Sequence, residues 1–452
     1  MLKIMMVSLG CDKNLVDTEM MLGMLQDAGY CFTDDETQAD VIIVNTCCFI
    51  GDAKEESINT LIEMGALKQT ANAKVLIAAG CLAQRYAKEI REEIPEVDAI
   101  LGTLAIDEIV KAVREAVEGK HDLYMEDINR EPVHDQKRVV TTGGHFAYLK
   151  IAEGCDKRCS YCIIPKVRGS YRSVPMESLL AEAEQLVAGG VKELILVAQE
   201  TTLYGKDLYG RKMLPELLQG LCRINGLYWI RILYCYPEEI TDELIEVIRT
   251  EKKICHYLDM PIQHASDRIL KKMGRRTNRE ELTERIKKLR EQIPDICLRT
   301  TLITGFPGET QEDHEIMLEF VEEMQFDRLG VFTYSAEEDT PAAEMPDQIP
   351  EEIKSDRRDA VMELQQEIAF EKAGEMAGKT VLAMIEGKVA DENCYIARTY
   401  KDAPNVDGYL FINTSRELMT GDFARVVVTG SYEYDLIGEL EDEYQDDTED
   451  SE

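Results

Sequence analysis

Apolar and polar positions in the first part of the chain switch repeatedly between a strand-like and a helix-like period. KIMMVSLG, ADVIIVNT and AKVLIAAG are short apolar runs, each the length of one strand. Between them, DTEMMLGMLQDAG and KEESINTLIEMGALK carry apolar residues at helical spacing, and the first stops at a glycine. The order is βαβαβ, which predicts parallel strands joined by right-handed crossovers. More helix and strand follow to about Ala116, so an N-terminal domain is expected over 1–118. The charged, breaker-rich segment 119–144 predicts a linker.

A second α/β series begins at HFAYLKIAEG. Its candidate strands are FAYLKI, ELILVAQE, YWIRILYC, HYLDMP, CLRTTLITG and RLGVFTYS, and helices such as NREELTERIKKLREQI separate most of them. Six βα units are too few for a closed eight-stranded barrel, so a partial (β/α)6 barrel is expected over 145–349, with its chemistry at the carboxyl ends of the strands. A charged connecting helix is expected over 350–376. The runs TVLAMIEGKV, YIARTYK, VDGYLFIN and FARVVVTGSYEY then predict a small antiparallel β-barrel over 377–438. The last stretch, 439–452, is ELEDEYQDDTEDSE, which holds nine acids and no base and predicts a disordered, solvated tail.

Composition narrows the function classes. The chain has 452 residues and a net charge of −36, which disfavours a general nucleic-acid binder and suits a basic protein partner. No apolar run reaches the ~18 residues of a membrane span, and MLKIMMVSLGCDKN lacks the features of a signal peptide, so no membrane association and a cytoplasmic location are expected. Thirteen cysteines in such a chain point to metal ligation before disulfides.

The densest motif is EGCDKRCSYC, with Cys155, Cys159 and Cys162 just after the first strand of the second series. Three thiolates in one short loop can hold three irons of a four-iron cluster and leave the fourth open. Zinc ligated by these cysteines and His145 is the competing reading, but His145 precedes the strand and would sit at its opposite end. Packing alone is the remaining one. Five basic residues (Lys157, Arg158, Lys166, Arg168 and Arg172) surround the motif, either as a solvated rim or as a docking or substrate-holding patch.

Strands of the first series end SLGC, VNTC and AAGC, at Cys11, Cys47 and Cys81, separated by 36 and 34 residues, each about one βαβ unit. Parallel strands one unit apart end on the same edge, so the three thiols can converge. Each one singly would be an ordinary buried strand-end cysteine. In VNTCC this register selects Cys47 and turns Cys48 elsewhere.

A C-x3-C-x2-C loop after the first strand of a partial barrel, with Tyr161 before the last cysteine, resembles the radical S-adenosylmethionine (SAM) enzymes. The resemblance implies that Cys155, Cys159 and Cys162 hold a 4Fe-4S cluster whose open iron binds SAM and cleaves it to a 5'-deoxyadenosyl radical. Gln199 and Glu200 close the second strand, where the superfamily places contacts to the SAM amino group. ITGFPGE, with Gly305, Gly308 and Glu309, is similar to its motif near the adenosine.

Together with Cys11, Cys47, Cys81 and the small barrel, these features resemble the methylthiotransferases over all but the acidic tail. That resemblance implies a second, auxiliary 4Fe-4S cluster on Cys11, Cys47 and Cys81, linked to the sulfur to be transferred. It also implies a C-terminal TRAM domain that docks substrate, two SAM molecules per turnover, and a flavodoxin- or ferredoxin-type electron donor. SLGCDKNLVDTE, ILVAQETTLYGKDLYG and RTYKDAPNVDG look like the branch that modifies an aspartate β-carbon in protein S-twelve of the small ribosomal subunit, although Glu200 stands where that branch has aspartate. Residues 377–438 hold six bases and nine acids, a net charge of −3, which suits a basic ribosomal protein better than tRNA. The alternatives are the tRNA adenosine methylthiotransferases and a non-catalytic iron–sulfur scaffold. Nothing in the chain asks for more than a monomer.

Overall fold

The computed structural model describes residues 2–444. The first six strands form one parallel sheet: β1 (Lys3–Ser8), β2 (Cys31–Phe32), β3 (Val41–Thr46), β4 (Val75–Ala79), β5 (Ala99–Leu101) and β6 (Leu123–Tyr124), in the order β2-β1-β3-β4-β5-β6. Both faces are covered, which is why β3 and β4 are buried at every position and apolar at all but Asn45 and Thr46. Val41 and Ile43 face helix α1 (Asp12–Asp27), while Ile42 and Val44 face helix α2 (Gly51–Thr70).

The segment expected to be a linker is more structured than its composition suggests. Its β6 pairs with β5 through Leu123 and Tyr124, and Tyr124 gains burial against the sheet. Further on it straps α1: the Val139 amide donates to the Glu19 carbonyl, Thr141 donates to the Glu19 carboxylate, and Arg138 bridges Glu19 to Glu182. Arg138, in the segment expected to be a linker, thus ties two domains together.

In the central domain, β7 (Phe146–Lys150) is followed by a small antiparallel pair, β8 (Ala152–Glu153) and β9 (Arg172–Ser173). Strands β10 (Glu193–Val197), β11 (Trp229–Ile232), β12 (Ile254–Asp259), β13 (Cys297–Thr304) and β14 (Arg328–Thr333) complete a six-stranded parallel sheet ordered β14-β13-β12-β11-β10-β7. Side chains alternate across it: Ala147, Leu149, Leu194 and Leu196 meet the outer helices, whereas Tyr148, Ile195 and Val197 point inward. Six strands leave the wall open, and the interior is filled from outside the domain. Val16 and Met20 of α1, with Met384 and Ala403 of the C-terminal domain, join the same apolar cluster as Val197, Trp229, Leu233 and Tyr257.

Strands β15 (Thr380–Lys388), β16 (Cys394–Thr399), β17 (Leu410–Asn413), β18 (Phe423–Tyr432) and β19 (Asp435–Leu440) form a closed barrel. The fifth strand changes two expectations. It closes the barrel by pairing with both β17 and β18, and it takes Glu439 and Leu440 out of the expected tail. Glu441 and Asp442 then pair with Arg425 and Arg416 rather than stand free in solvent. The rest of that acidic segment, from 445, lies outside the described residues.

This barrel caps the amino-terminal ends of the central strands. Glu193 pairs with Arg231 at 2.8 Å and Arg398 at 2.7 Å, Arg328 pairs with Asp402 at 2.6 Å, and the Tyr257 hydroxyl donates to Asp407 at 2.8 Å. His145 donates to the Glu386 carboxylate at this same end, remote from the cysteine loop. The carboxyl ends are thereby left to the N-terminal domain. Among the described residues no helix is long and apolar enough to cross a membrane.

Candidate functional site

Register decides where the N-terminal cysteines go. Ser8 lies beside Asn45, and Asn45 beside Ala79, so β1, β3 and β4 end level and Cys11, Cys47 and Cys81 leave them along one edge. Cys11 opens α1, and Cys81 lies in the first turn of helix α3 (Gly80–Arg85). Close approach is possible because residue 10 is glycine: it has φ +88, and a Cβ there would stand 2.7 Å from Cys47 Cβ and 2.9 Å from its sulfur. Ser57 of α2 fixes the Cys47 backbone, with its hydroxyl accepting from the Cys47 amide at 2.9 Å and donating to the Cys47 carbonyl at 3.0 Å.

Electrostatics agree that the three thiols share one space. Burial pushes the Cys47 thiol up to about 12, the neighbouring Cys81 and Cys11 add to the rise, and Arg168 pulls it back. Cys81 is also raised, first by burial and also by Cys11, against the pull of Arg168. Cys48 packs with Leu61, Leu82 and Ile163 in the apolar cluster that also holds Cys81, and its thiol is raised as well, first by burial and then by Cys81 and Cys47.

The second cysteine set hangs on a sharp turn. Gly154 has φ +77, and a Cβ there would strike the Ser170 carbonyl at 2.0 Å, because Glu153 pairs with Arg172 in the small β8-β9 ribbon. The Cys155 amide donates to Gly169 O and the Cys162 amide to Cys159 O, both at 3.1 Å, which curls the loop around its own sulfurs. Burial raises the Cys155 thiol to about 12 and raises Cys162, and the neighbouring Cys159 adds to both. Thiols that raise one another in this way form the donor set an iron–sulfur cluster needs, because the metal displaces their protons. Among the described residues no three His, Cys, Asp or Glu groups are arranged for a single metal ion. A cubane asks for a wider spacing, since each thiolate binds a different iron.

The residues expected to contact SAM divide into two groups around this loop. Tyr161 packs against a small apolar cluster with Phe306, Met273 and Tyr334, which brings the ITGFPGE turn beside the cysteines. Gly305 and Gly308 are both left-handed within that turn. Glu309 is turned inward: its carboxylate accepts from the Phe306 amide at 3.1 Å and pairs with Arg357 at 3.0 Å, so it shapes the turn from behind. On the other side, Gln199 donates to Glu153 at 2.8 Å. Gln199 Oε1 and Glu200 Oε2 are buried with no hydrogen-bond donor among the described residues. Two buried acceptors beside a cysteine loop, Gln199 Oε1 without a partner and Glu200 Oε2 with only the Lys157 ammonium at 3.6 Å, fit the amino group of a ligand. Burial raises Glu200 to about 7, opposed by Lys157, whose ammonium lies 3.6 Å away.

Two of the five basic residues near Cys155 are no solvated rim. Lys157 pairs with Glu239 at 2.6 Å, and Arg168 is fully buried. Arg168 donates to Asp17 and Glu153 at 2.9 Å each and to Asn14 at 2.5 Å, while Lys150 also pairs with Asp17 and Glu153. Asn14 in turn donates to the Leu9 and Thr46 carbonyls, and its side-chain oxygen lies 3.8 Å from Cys81 Sγ. A continuous buried chain therefore runs from Gln199 through Glu153, Arg168 and Asn14 to Cys81. The sequence carried one signal of it, the charged pair Lys150 and Glu153 beside the otherwise apolar first strand.

Comparison with known proteins agrees with this division. Residues 3–102 match the model of Uncharacterized protein family UPF0004, residues 149–321 that of the Radical SAM superfamily, and residues 377–440 that of the TRAM domain. Among solved structures, the radical SAM methyltransferase TsrM from Kitasatospora setae superposes with a TM-score of 0.54 at 15% identity, covering 76% of this chain and 74% of that one. That likeness concerns the fold. A ribosomal protein uS12 methylthiotransferase RimO from Lachnoclostridium phytofermentans is 62% identical, covering 97% of this chain and 100% of the relative. One from Pelotomaculum thermopropionicum is 52% identical, covering 97% and 99%, and one from Clostridioides difficile is 50% identical, covering 97% and 99%. With that identity sustained from the cysteine edge to the closing strand of the small barrel, the chain belongs to the RimO family of radical SAM methylthiotransferases.

Proposed function

We propose that this protein methylthiolates ribosomal protein uS12 at the β-carbon of an aspartate. The observation that carries the reading is the meeting of two three-cysteine sets at one interface, joined by the buried chain from Gln199 to Cys81. Cys155, Cys159 and Cys162 would hold the SAM-cleaving 4Fe-4S cluster, and Cys11, Cys47 and Cys81 the auxiliary one. When bound, these groups supply a radical able to open an unactivated C–H bond and a site for the incoming sulfur.

The chain's own residues bind and orient. The acceptors of Gln199 and Glu200 receive the SAM amino group, and the turn containing Gly305 and Gly308 lies along its adenosine. Tyr161 backs that turn. Arg168 and Asn14 hold the N-terminal cysteine edge against the radical domain.

Substrate docking belongs to the C-terminal barrel, and its charge needs restating. Asp402, Asp407 and Glu386 face the central domain or its arginines and are not available to a partner. The acidic character offered outward comes from the remaining acids. An electron donor of flavodoxin or ferredoxin type, a monomeric state and a cytoplasmic location complete the reading.

Mass spectrometry of uS12 from a strain lacking this gene tests it. Loss of the methylthio mass from the target aspartate, restored by the wild-type gene, is the expected result; an unchanged modified aspartate would sink the proposal. Nucleosides of tRNA from the same strain should be unaltered, and a missing 2-methylthioadenosine would favour the tRNA alternative.

A further inference from the structure

Three covered cations at the carboxyl ends of the central strands are matched to carboxylates. Arg168 and Lys150 share Asp17 and Glu153, and Lys157 has Glu239. Two others are not matched among the described residues. Arg275 donates to the Pro261 carbonyl and stacks on the Tyr236 ring with its guanidinium carbon 4.2 Å from the centroid. Lys13 is 6% exposed, and its ammonium stands 3.4 Å from the centroid of the Tyr234 ring. Most of the Lys13 stem is covered, while its ammonium has the Tyr234 ring on one side and no carboxylate within ion-pair distance among the described residues, so it is free to take one.

The surroundings of Lys13 show what is missing. It lies in the first turn of α1, two residues after Cys11, which is itself exposed to the cleft. The neighbouring carboxylate, Asp12, is engaged by the Tyr234 hydroxyl at 3.2 Å. The Tyr234 amide donates to Asp259, and its carbonyl accepts from Thr201, the residue after Glu200. Tyr234 also sits at φ +59, a conformation that a bulky residue adopts only when held there. The ring is thus a fixed platform between the auxiliary cysteine edge and the residues expected to bind SAM, and it presents one unpaired positive charge to the space between them.

We infer that Lys13 is the counter-ion for the carboxylate of the target aspartate. The inference rests on the function proposed above and specifies how the substrate is held. The carbon to be thiolated is bonded directly to that carboxyl carbon, so gripping the carboxylate from beside Cys11 places the reacting carbon where sulfur is delivered. Arg275, on the Tyr236 side beside Cys159, is too near the radical cysteine loop for this task and belongs with the carboxylate of SAM. A lysine is a compact point charge that suits one carboxylate arriving and leaving at each turnover.

The test is a binding cycle with the full-length, cluster-reconstituted enzyme and two forms of uS12, one with the target aspartate and one with asparagine in its place. Fluorescence anisotropy measures the affinity of each form for wild type, Lys13→Met, Lys13→Arg and Arg275→Met. Wild type should bind the aspartate form about tenfold or more tightly than the asparagine form. Lys13→Met should bind the two forms alike, while Lys13→Arg and Arg275→Met should keep a preference for aspartate. Lys13→Gln replaces the methionine variant if that one does not reach wild-type iron content. A neutral variant that keeps the full preference overturns the assignment, as does a wild type that binds both forms equally while still methylthiolating uS12. Wild type that neither binds nor modifies uS12 overturns the proposed function, and this inference with it.

Discussion

Replacing Arg168 by methionine should loosen the contact between the N-terminal and central domains. The side chain is 1% exposed, and it balances a closed group of charges, Arg168 and Lys150 against Asp17 and Glu153. Removing the guanidinium leaves two buried carboxylates facing one ammonium, and Asn14 loses its donor as well. Breaking a buried pair from one side costs about 3–5 kcal/mol, because the stranded charge has no water to return to. Hydrogen exchange of the α1 amides reads this directly. If opening of that helix limits exchange, protected amides should exchange about a hundred- to several-thousandfold faster. Asp17→Asn added to Arg168→Met restores the balance, so the double variant should exchange more slowly than the single one. If Asp17→Asn adds to the damage, or if Arg168→Met alone changes exchange less than tenfold, the network does not hold the interface as described.

Cys48→Ala should keep the wild-type iron content, whereas Cys47→Ala should lose about half of it and stop sulfur insertion while sparing SAM cleavage, as measured by iron assay and 5'-deoxyadenosine release. Glu200, raised to about 7 by burial against the pull of Lys157, is mostly protonated at pH 6 and mostly ionised at pH 8. A cationic amino group binds the ionised form and loses its own proton near pH 8, so SAM affinity should rise severalfold from pH 6 to about pH 7.5 and fall again above pH 8, and Glu200→Gln should remove the rising limb in a calorimetric titration.

What the sequence made legible followed from period and spacing. Three apolar runs about one βαβ unit apart sufficed to place Cys11, Cys47 and Cys81 on one edge, because parallel register leaves little freedom once strand lengths match. The cysteine loop was legible because its three cysteines lie within eight residues. Long-range pairing was not. Arg168 looked like one of a basic group, and nothing local reveals that Asp17, 151 residues earlier, meets it. The strap of 119–144 was hidden for the same reason, since its charges gain their partners only when α1 and the helix carrying Glu182 come together. Strand β19 was missed because DLIGEL is short and runs straight into acids, and its pairing with β17 and β18 supplies what its own composition lacks. Lys13 was visible only as one letter of SLGCDKNLVDTE; its place against the Tyr234 ring without a carboxylate partner is a property of the folded interface.

The filling of the partial barrel from outside has a consequence for how the protein is made. Its inner wall meets α1 on one side and Met384 and Ala403 on the other. During synthesis α1 emerges early and waits, but Ala403 leaves the ribosome only after all six central strands have done so. Until then Trp229, Leu233 and Tyr257 lack part of their cover. Truncation before the small barrel should therefore yield an aggregation-prone product instead of a smaller working enzyme, and the middle of this chain completes its folding only once its end has been translated.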